Sequence, residues 1–293
     1  MAVFRKLPVR PRPRVIIATA SIPPHAYFLI SAIFHYLGPA FAVLLFAHVS
    51  VLGVAWLRVA TAALIFAAWR RPWRRIGAWS PSQRRAVIAL GIVLGLMNVS
   101  FYLAIDRLPL STVGAIEFAG MIALAALGVR TWRNLAALGL AVIGVVVLID
   151  VRLASEPLGV VFALANCGLF LLYVVLGHRL AGEGESIDRL GAAMLVALVT
   201  VTPLGIGGAV TTFGQVDLLI AGIGVGLCSS VIPYVSDQLA MARLPRATFA
   251  LLLATLPAWA TVIGAVVLGQ IPSVGEVAGV ALVVGGVAIH QAE

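Results

Sequence analysis

The sequence predicts an all-α membrane protein of ten transmembrane helices, built as two inverted five-helix repeats. Three observations carry that expectation: a composition too apolar for a water-soluble fold, unbroken apolar runs of helix length, and a short motif that recurs 136 residues later. The chain has 293 residues, 62% hydrophobic and 11% charged, with a mean hydropathy of +1.10. Soluble domains carry about 25% charged residues, and a soluble fold of this size cannot hide so much apolar surface. In lipid the backbone must satisfy itself, which leaves helices or a closed barrel. Barrel strands read as short alternating segments. Runs such as Val142–Ile149 and Leu251–Val267 do not alternate, so helices are expected.

Residues 1–25 form a basic, proline-broken segment, expected to be cytoplasmic. Its apolar stretch Val15–Ile22 is short and stops at Pro23-Pro24, so a cleaved signal peptide is not expected. Ten apolar spans follow, near 26–46, 50–69, 86–105, 109–129, 134–150, 157–178, 190–210, 217–241, 246–269 and 273–291. The first repeat is read as 26–152 and the second as 153–293.

With the N-terminus inside, seventeen of the twenty basic residues fall in inner segments, only Arg107 and Arg152 fall outside, and Arg58 lies within a span. That bias predicts both termini in the cytoplasm of a bacterial inner membrane. The cluster Arg70, Arg71, Arg74, Arg75, Arg84 and Arg85 is the strongest anchor, set to meet anionic lipid. The net charge of +9 thus reflects topology and predicts no nucleic-acid partner.

The repeated motif is Leu103-Ala-Ile-Asp-Arg-Leu-Pro109, answered by Leu239-Ala-Met-Ala-Arg-Leu-Pro245. Thr112 answers Thr248, and Asn98 falls opposite Tyr234. A shift of five spans is odd, so the copies face opposite sides of the membrane. Inverted repeats mark secondary carriers, whose substrate site lies near the midplane between the halves. Each motif proline stands where the next helix starts, a position that needs no backbone N–H.

Ionisable groups at membrane depth cost about 2.5–3.5 kcal/mol or more, so each is a candidate site residue. Glu117 is expected to meet a substrate ammonium or a coupling proton, or to pair structurally with Arg58; its counterpart in the other repeat is Leu253. Arg58 offers a fork for a carboxylate, or a snorkelling cation. His35, beside Tyr36 and before Gly38-Pro39, is a proton relay or a neutral bonded histidine. Asp237 is read as interfacial, after Pro233-Tyr234. Asn98 and Tyr102 share a helix face, and Tyr36, Tyr173 and Tyr234 complete the candidate lining. Gly91 and Gly95 read as packing contacts.

Cys167 and Cys228 form no disulfide framework or metal spacing. No Walker A loop, zinc spacing or Gly-x-Ser-x-Gly occurs. No enzyme activity, cofactor or metal is expected. The expected partners are a small-molecule substrate, the lipid bilayer and coupling protons, with the chain a monomer or homodimer.

The stretches Met97-Asn98-x-x-Phe101-Tyr102-Leu103-Ala104-Ile105, Leu108-Pro109-Leu110 and Glu117-Phe118 resemble the drug/metabolite transporter superfamily. So do Leu57-Arg58, Pro233-Tyr234 and Ala240-Met241-x-Arg243-Leu244-Pro245-x-x-Thr248-Phe249. The chain is most similar to the EamA family, and within it to the threonine/homoserine exporter type. The resemblance implies ten helices, a central cavity and export driven by an ion gradient. Three positions depart from the common pattern: Leu256-Pro257-Ala258 for Glu-Pro-Ala, Gly269-Gln270 for Gly-Glu, and Gly120-Met121 after Glu-Phe. The expected function is alternating-access export of small metabolites, amino acids or related zwitterions. Export of apolar drugs or nucleobase-like compounds stays open, as does a non-transporting membrane protein or channel.

Overall fold

The helices follow from apolar runs punctuated by residues that can only start or stop them. The computed structural model describes residues 23–128, 131–153, 155–180, 186–241 and 255–289. Among these no strand occurs. The helices are α1 (Pro24–Leu45), α2 (Val51–Arg70), α3 (Pro81–Ile105), α4 (Leu110–Gly128), α5 (Trp132–Leu153) and α6 (Pro157–Leu180), followed by α7 (Ser186–Ala209) and α8 (Val216–Gly226). A π-helical turn, Leu227–Val231, joins α8 to α9 (Ile232–Met241), and α10 (Leu256–Leu268) and α11 (Val274–Ile289) complete the set.

A described helix overlaps each expected span, with shifted ends (α3 starts at Pro81, α7 at Ser186) and two larger differences. The span read at 217–241 is one helix interrupted by the π turn. The span read at 246–269 is represented by α10, since residues 242–254 lie outside the described set. That set also leaves out Arg243, Pro245, Arg246, Thr248 and Leu253, and the basic N-terminal segment up to residue 22. Among the described residues, six helical stretches are long and apolar enough to cross a membrane: His25–Leu45, Val51–Arg70, Pro81–Ile105, Pro157–Gly177, Ile187–Gly214 and Val216–Ser236. Trp132–Leu148, Leu256–Leu268 and Val274–Gly286 are shorter apolar helices.

The ends are capped as the sequence dictates. Ser50 accepts a hydrogen bond from Gly53 N at 3.2 Å and starts α2. At its far end Arg71 turns left-handed (φ 48°), and Pro72 prevents continuation. Ser80 and Gln83 form a reciprocal capping box at the start of α3, with Pro81 in the first turn. Ser273 and Glu276 do the same for α11. There the buried Glu276 also accepts from Thr112 Oγ1 at 3.4 Å, which ties α11 to the start of α4. Gln270, at a position where the related pattern has Glu, accepts from Leu110 N at 3.1 Å and caps α4. At the arginine-rich end, buried Asp188 opens α7 between Arg70 Nε at 2.7 Å and Arg75 Nε at 3.4 Å.

Inside the bundle, α2 packs along α7, and α5 along α11. α3 lies between α6 and α7, α1 runs against α9, the π turn and α10, and α4 contacts α5, α6, α10 and α11. Apolar solvent gives no drive to join apolar helices, so close approach through small residues has to supply it. Gly53 meets the backbone of Gly208 across α2 and α7, and Gly144 meets that of Gly279 across α5 and α11. Gly91 and Gly95 pack against Val196 and Thr200 of α7, which accounts for them as contacts. The outer faces present Leu64, Val199, Ile220 and Val266, side chains suited to lipid.

Candidate functional site

A helix normally hides its polar backbone, so a defect in one creates a polar point at membrane depth. The π turn Leu227–Val231 is such a defect, and π turns recur at functional sites. It turns the Ser229 carbonyl and the Ser230 hydroxyl toward α2. Arg58 takes both: Nε donates to Ser230 Oγ at 3.0 Å and Nη2 to Ser229 O at 3.1 Å. The guanidinium also lies over the rings of Tyr102 and Phe101, with its carbon 5.3 and 6.0 Å from their centroids. Arg58 is only 8% exposed, so it does not snorkel to the interface. These contacts use the Nε–Nη2 edge, and Nη1 makes no hydrogen bond among the described residues. α1 closes over the π turn at Gly38, where an added Cβ would collide with Ser229 Oγ. Only glycine permits that approach.

Glu117, on α4, is 5% exposed. It lies within the electrostatic reach of Arg58, yet the two form no ion pair within 4 Å; the short ion pairs among the described residues are all elsewhere. The direct structural pair is therefore not formed. Asn166, on α6, stands beside the carboxyl, at a geometry in which neither Nδ2 nor Oδ1 completes a hydrogen bond. Cys167 lies next to it, with Sγ against Gly120 one turn along from Glu117. The Tyr36 hydroxyl is a further neighbour of Glu117 and approaches Gly114 of α4.

The neutral polar atoms around these charges are incompletely used. Among the described residues, Tyr36 Oη, Tyr102 Oη and Ser229 Oγ are buried without a protein partner, and the only polar neighbour of the buried Asn166 amide is the Glu117 carboxyl. An unmade hydrogen bond on a buried group costs about 1–3 kcal/mol. Such a concentration of unmade bonds is not a feature of ordinary packing. These atoms gather where α1, α2, α3, α4, α6 and the π turn meet.

Of the residues singled out in the sequence, the fold brings Arg58, Glu117, His35, Tyr36 and Tyr102 together. The half-buried His35 ring stands edge-on to Tyr36 at 5.2 Å and feels the charge of Arg58. Asn98 is buried, but its Nδ2 donates to Leu94 O of its own helix at 2.8 Å. Tyr173 stacks on Phe170 at 5.9 Å, and it and Tyr234 pack against a second apolar cluster around Phe66, Leu94 and Met194. Asp237 lies on α9, and its side chain falls outside the described residues. Sequence reasoning passed over Asn166, Ser229 and Ser230. For Asn166 the available signal was an amide inside an apolar run, Phe162–Leu172.

Residues 157–290 match the EamA-like transporter family. The threonine/homoserine exporter RhtA of Salmonella typhimurium strain LT2 is 31% identical over 236 residues, covering 80% of this chain and 79% of the relative. The chain belongs to the EamA-like transporter family. The RhtA protein of Escherichia coli K12 is likewise 31% identical, over 237 residues with the same coverage. A solved crystal structure shares the fold, with a TM-score of 0.54 at 19% identity, covering 90% of this chain and 96% of the other. As an EamA-like transporter the chain is a transmembrane member of the drug/metabolite transporter superfamily, and its relatives are exporters rather than enzymes.

Proposed function

We propose that this transporter exports small zwitterionic metabolites, amino acids of the threonine and homoserine kind, by alternating access. One observation carries the reading: Glu117 and Arg58 are buried in one region with opposite charges and no direct bond between them. Uncompensated charges are expensive at membrane depth. A zwitterion answers both, its ammonium at Glu117 and its carboxylate at the remaining edge of Arg58. The names of the relatives at 31% identity support the same substrate class.

The scaffold we propose is ten membrane crossings in two inverted units, 26–152 and 153–293, with α8, the π turn and α9 acting as one crossing. Helix packing supports it. Under a shift of five crossings the α2–α7 and α5–α11 pairs map onto themselves, and α3–α6 maps onto the pairing of α8 and α9 with α1. The Gly53–Gly208 and Gly144–Gly279 approaches sit in the two self-mapped pairs. The family match over 157–290 covers nearly one unit. The arginine bias supports cytoplasmic termini in a bacterial inner membrane. Glu117 also serves as the carrier of the coupling proton, taking it up when the ammonium leaves.

Counterflow in proteoliposomes tests this. Vesicles preloaded with unlabelled threonine should accumulate labelled threonine transiently and saturably, homoserine should compete, and an acidic lumen should accelerate uptake. Linear, unsaturable flux would point to a channel. Competition only by apolar aromatic cations would replace the zwitterion reading with drug export.

A further inference from the structure

The arginines at the corner between α2 and α3 divide into two groups. Arg70 and Arg75 hold Asp188. Arg84 donates to Trp79 O at 3.0 Å and to Gly77 O at 3.2 Å. The side chains of Arg71, Arg74 and Arg85, by contrast, make no hydrogen bond or ion pair among the described residues. The first acidic residue of the whole chain is Asp106, so no carboxylate nearby in the sequence answers them. Three arginines whose charges are not paired among the described residues attract anions.

Beside Arg85 the structure has a cavity of about 390 Å³ between the first turns of α3 and the last turns of α6. It is a half-open groove: Ser82, Gln83 and Arg85 supply its polar lining, and Ala86, Ala89, Leu176 and Leu180 its apolar lining. From Ser82 to Ala89 is two helical turns, about 10 Å along α3. Over that length the α3 lining changes from hydroxyl, amide and guanidinium to alanine. Trp69 and Trp73, each about half exposed, stand on the same corner, and such indoles settle at headgroup level.

We propose that this cavity binds an anionic phospholipid. Its phosphate is held by Arg85 and the Ser82 hydroxyl, with Arg71 and Arg74 adding long-range attraction. Its glycerol and first methylenes lie on Ala86, Ala89 and Leu176. The apolar floor favours a lipid over free phosphate, because inorganic phosphate gains nothing from alanine and leucine. The site lies at the arginine-rich end, remote from Glu117, and does not depend on the transport reading.

Native mass spectrometry of the delipidated full chain tests it, with phosphatidylglycerol and phosphatidylcholine of identical acyl chains in competition. One juxtamembrane arginine is worth about fivefold in binding an acidic lipid. The first bound lipid should therefore favour phosphatidylglycerol by about fivefold or more. Arg85→Gln should remove most of that preference, and Ala89→Trp, which fills the floor, should lose the retained lipid with Arg85 intact. Arg133→Gln, an exposed arginine on α5, should change neither. Equal retention of both lipids, a preference indifferent to Arg85→Gln and Ala89→Trp, or full displacement by excess inorganic phosphate would overturn the proposal.

Discussion

Glu117→Gln protein is expected to accumulate and fold normally but to carry almost no amino acid. Glutamine keeps the shape of the side chain and its place between Tyr36 and Asn166, so packing in α4 is preserved. The substitution removes the charge. A hydrogen bond to a charged group contributes about 1.5–3 kcal/mol, which at the upper end is roughly a hundredfold in affinity. Loss of the proton-exchanging group should also uncouple what flux remains from an imposed pH gradient. Thermal stability should be equal or higher, because a buried unpaired carboxylate no longer has to be kept from water. Flux assays in proteoliposomes and a thermal melt of the same preparation separate these effects. Wild-type flux would remove Glu117 from the mechanism, whereas lost flux with a collapsed melting temperature would make it a structural residue.

Arg58→Lys should be nearly as damaging although the charge is retained. Lysine has no planar fork. It cannot bond Ser230 Oγ and Ser229 O on one edge while offering the other to a carboxylate, and it stacks less well over Tyr102. Loss of two directed bonds predicts an apparent KM raised by about tenfold or more, with smaller changes in maximal rate. The double variant Arg58→Ala/Glu117→Gln sharpens the test. If the two charges only stabilise each other, removing both should leave folding and transport intact. We expect a folded protein with no transport. An unchanged KM in Arg58→Lys protein would show that the guanidinium anchors the π turn and nothing more.

The course of the helices was legible in the sequence because lipid imposes a strict demand. Apolar runs must be long and continuous, and prolines, serines and glycines mark their ends with little ambiguity. The end of α10 at Gly269 fits the span read to 269, whereas α3 starts at Pro81, before the span read from 86, because the Ser80–Gln83 capping box carries the helix beyond its apolar run. The π turn was legible only indirectly. Leu-Cys-Ser-Ser-Val itself carries no glycine or proline, but Pro233 just after it has no N–H for the Ser229 carbonyl four residues earlier, which leaves that carbonyl to Arg58. Charged site residues announced themselves, since a Glu or Arg in an apolar run is costly and stands out. Neutral ones did not: Asn166 acquires meaning only when α6 is laid beside α4. Asn98 illustrates the converse. Its spacing to Tyr102 correctly gave a common face, but a back-bond to Leu94 O satisfies its amide nitrogen within its own helix. Asp188 needed tertiary structure as well, because its two arginines lie more than a hundred residues earlier in the chain.

Accessibility of the Arg58 site from the two faces of the membrane tests the central claim most directly. In protein lacking Cys167 and Cys228, Ser230→Cys sets a single thiol beside the guanidinium. An impermeant thiol reagent applied from either side should label it, and saturating threonine should slow labelling from both. Labelling from one side only, or at a rate indifferent to threonine, would contradict a chamber opened alternately to the two faces.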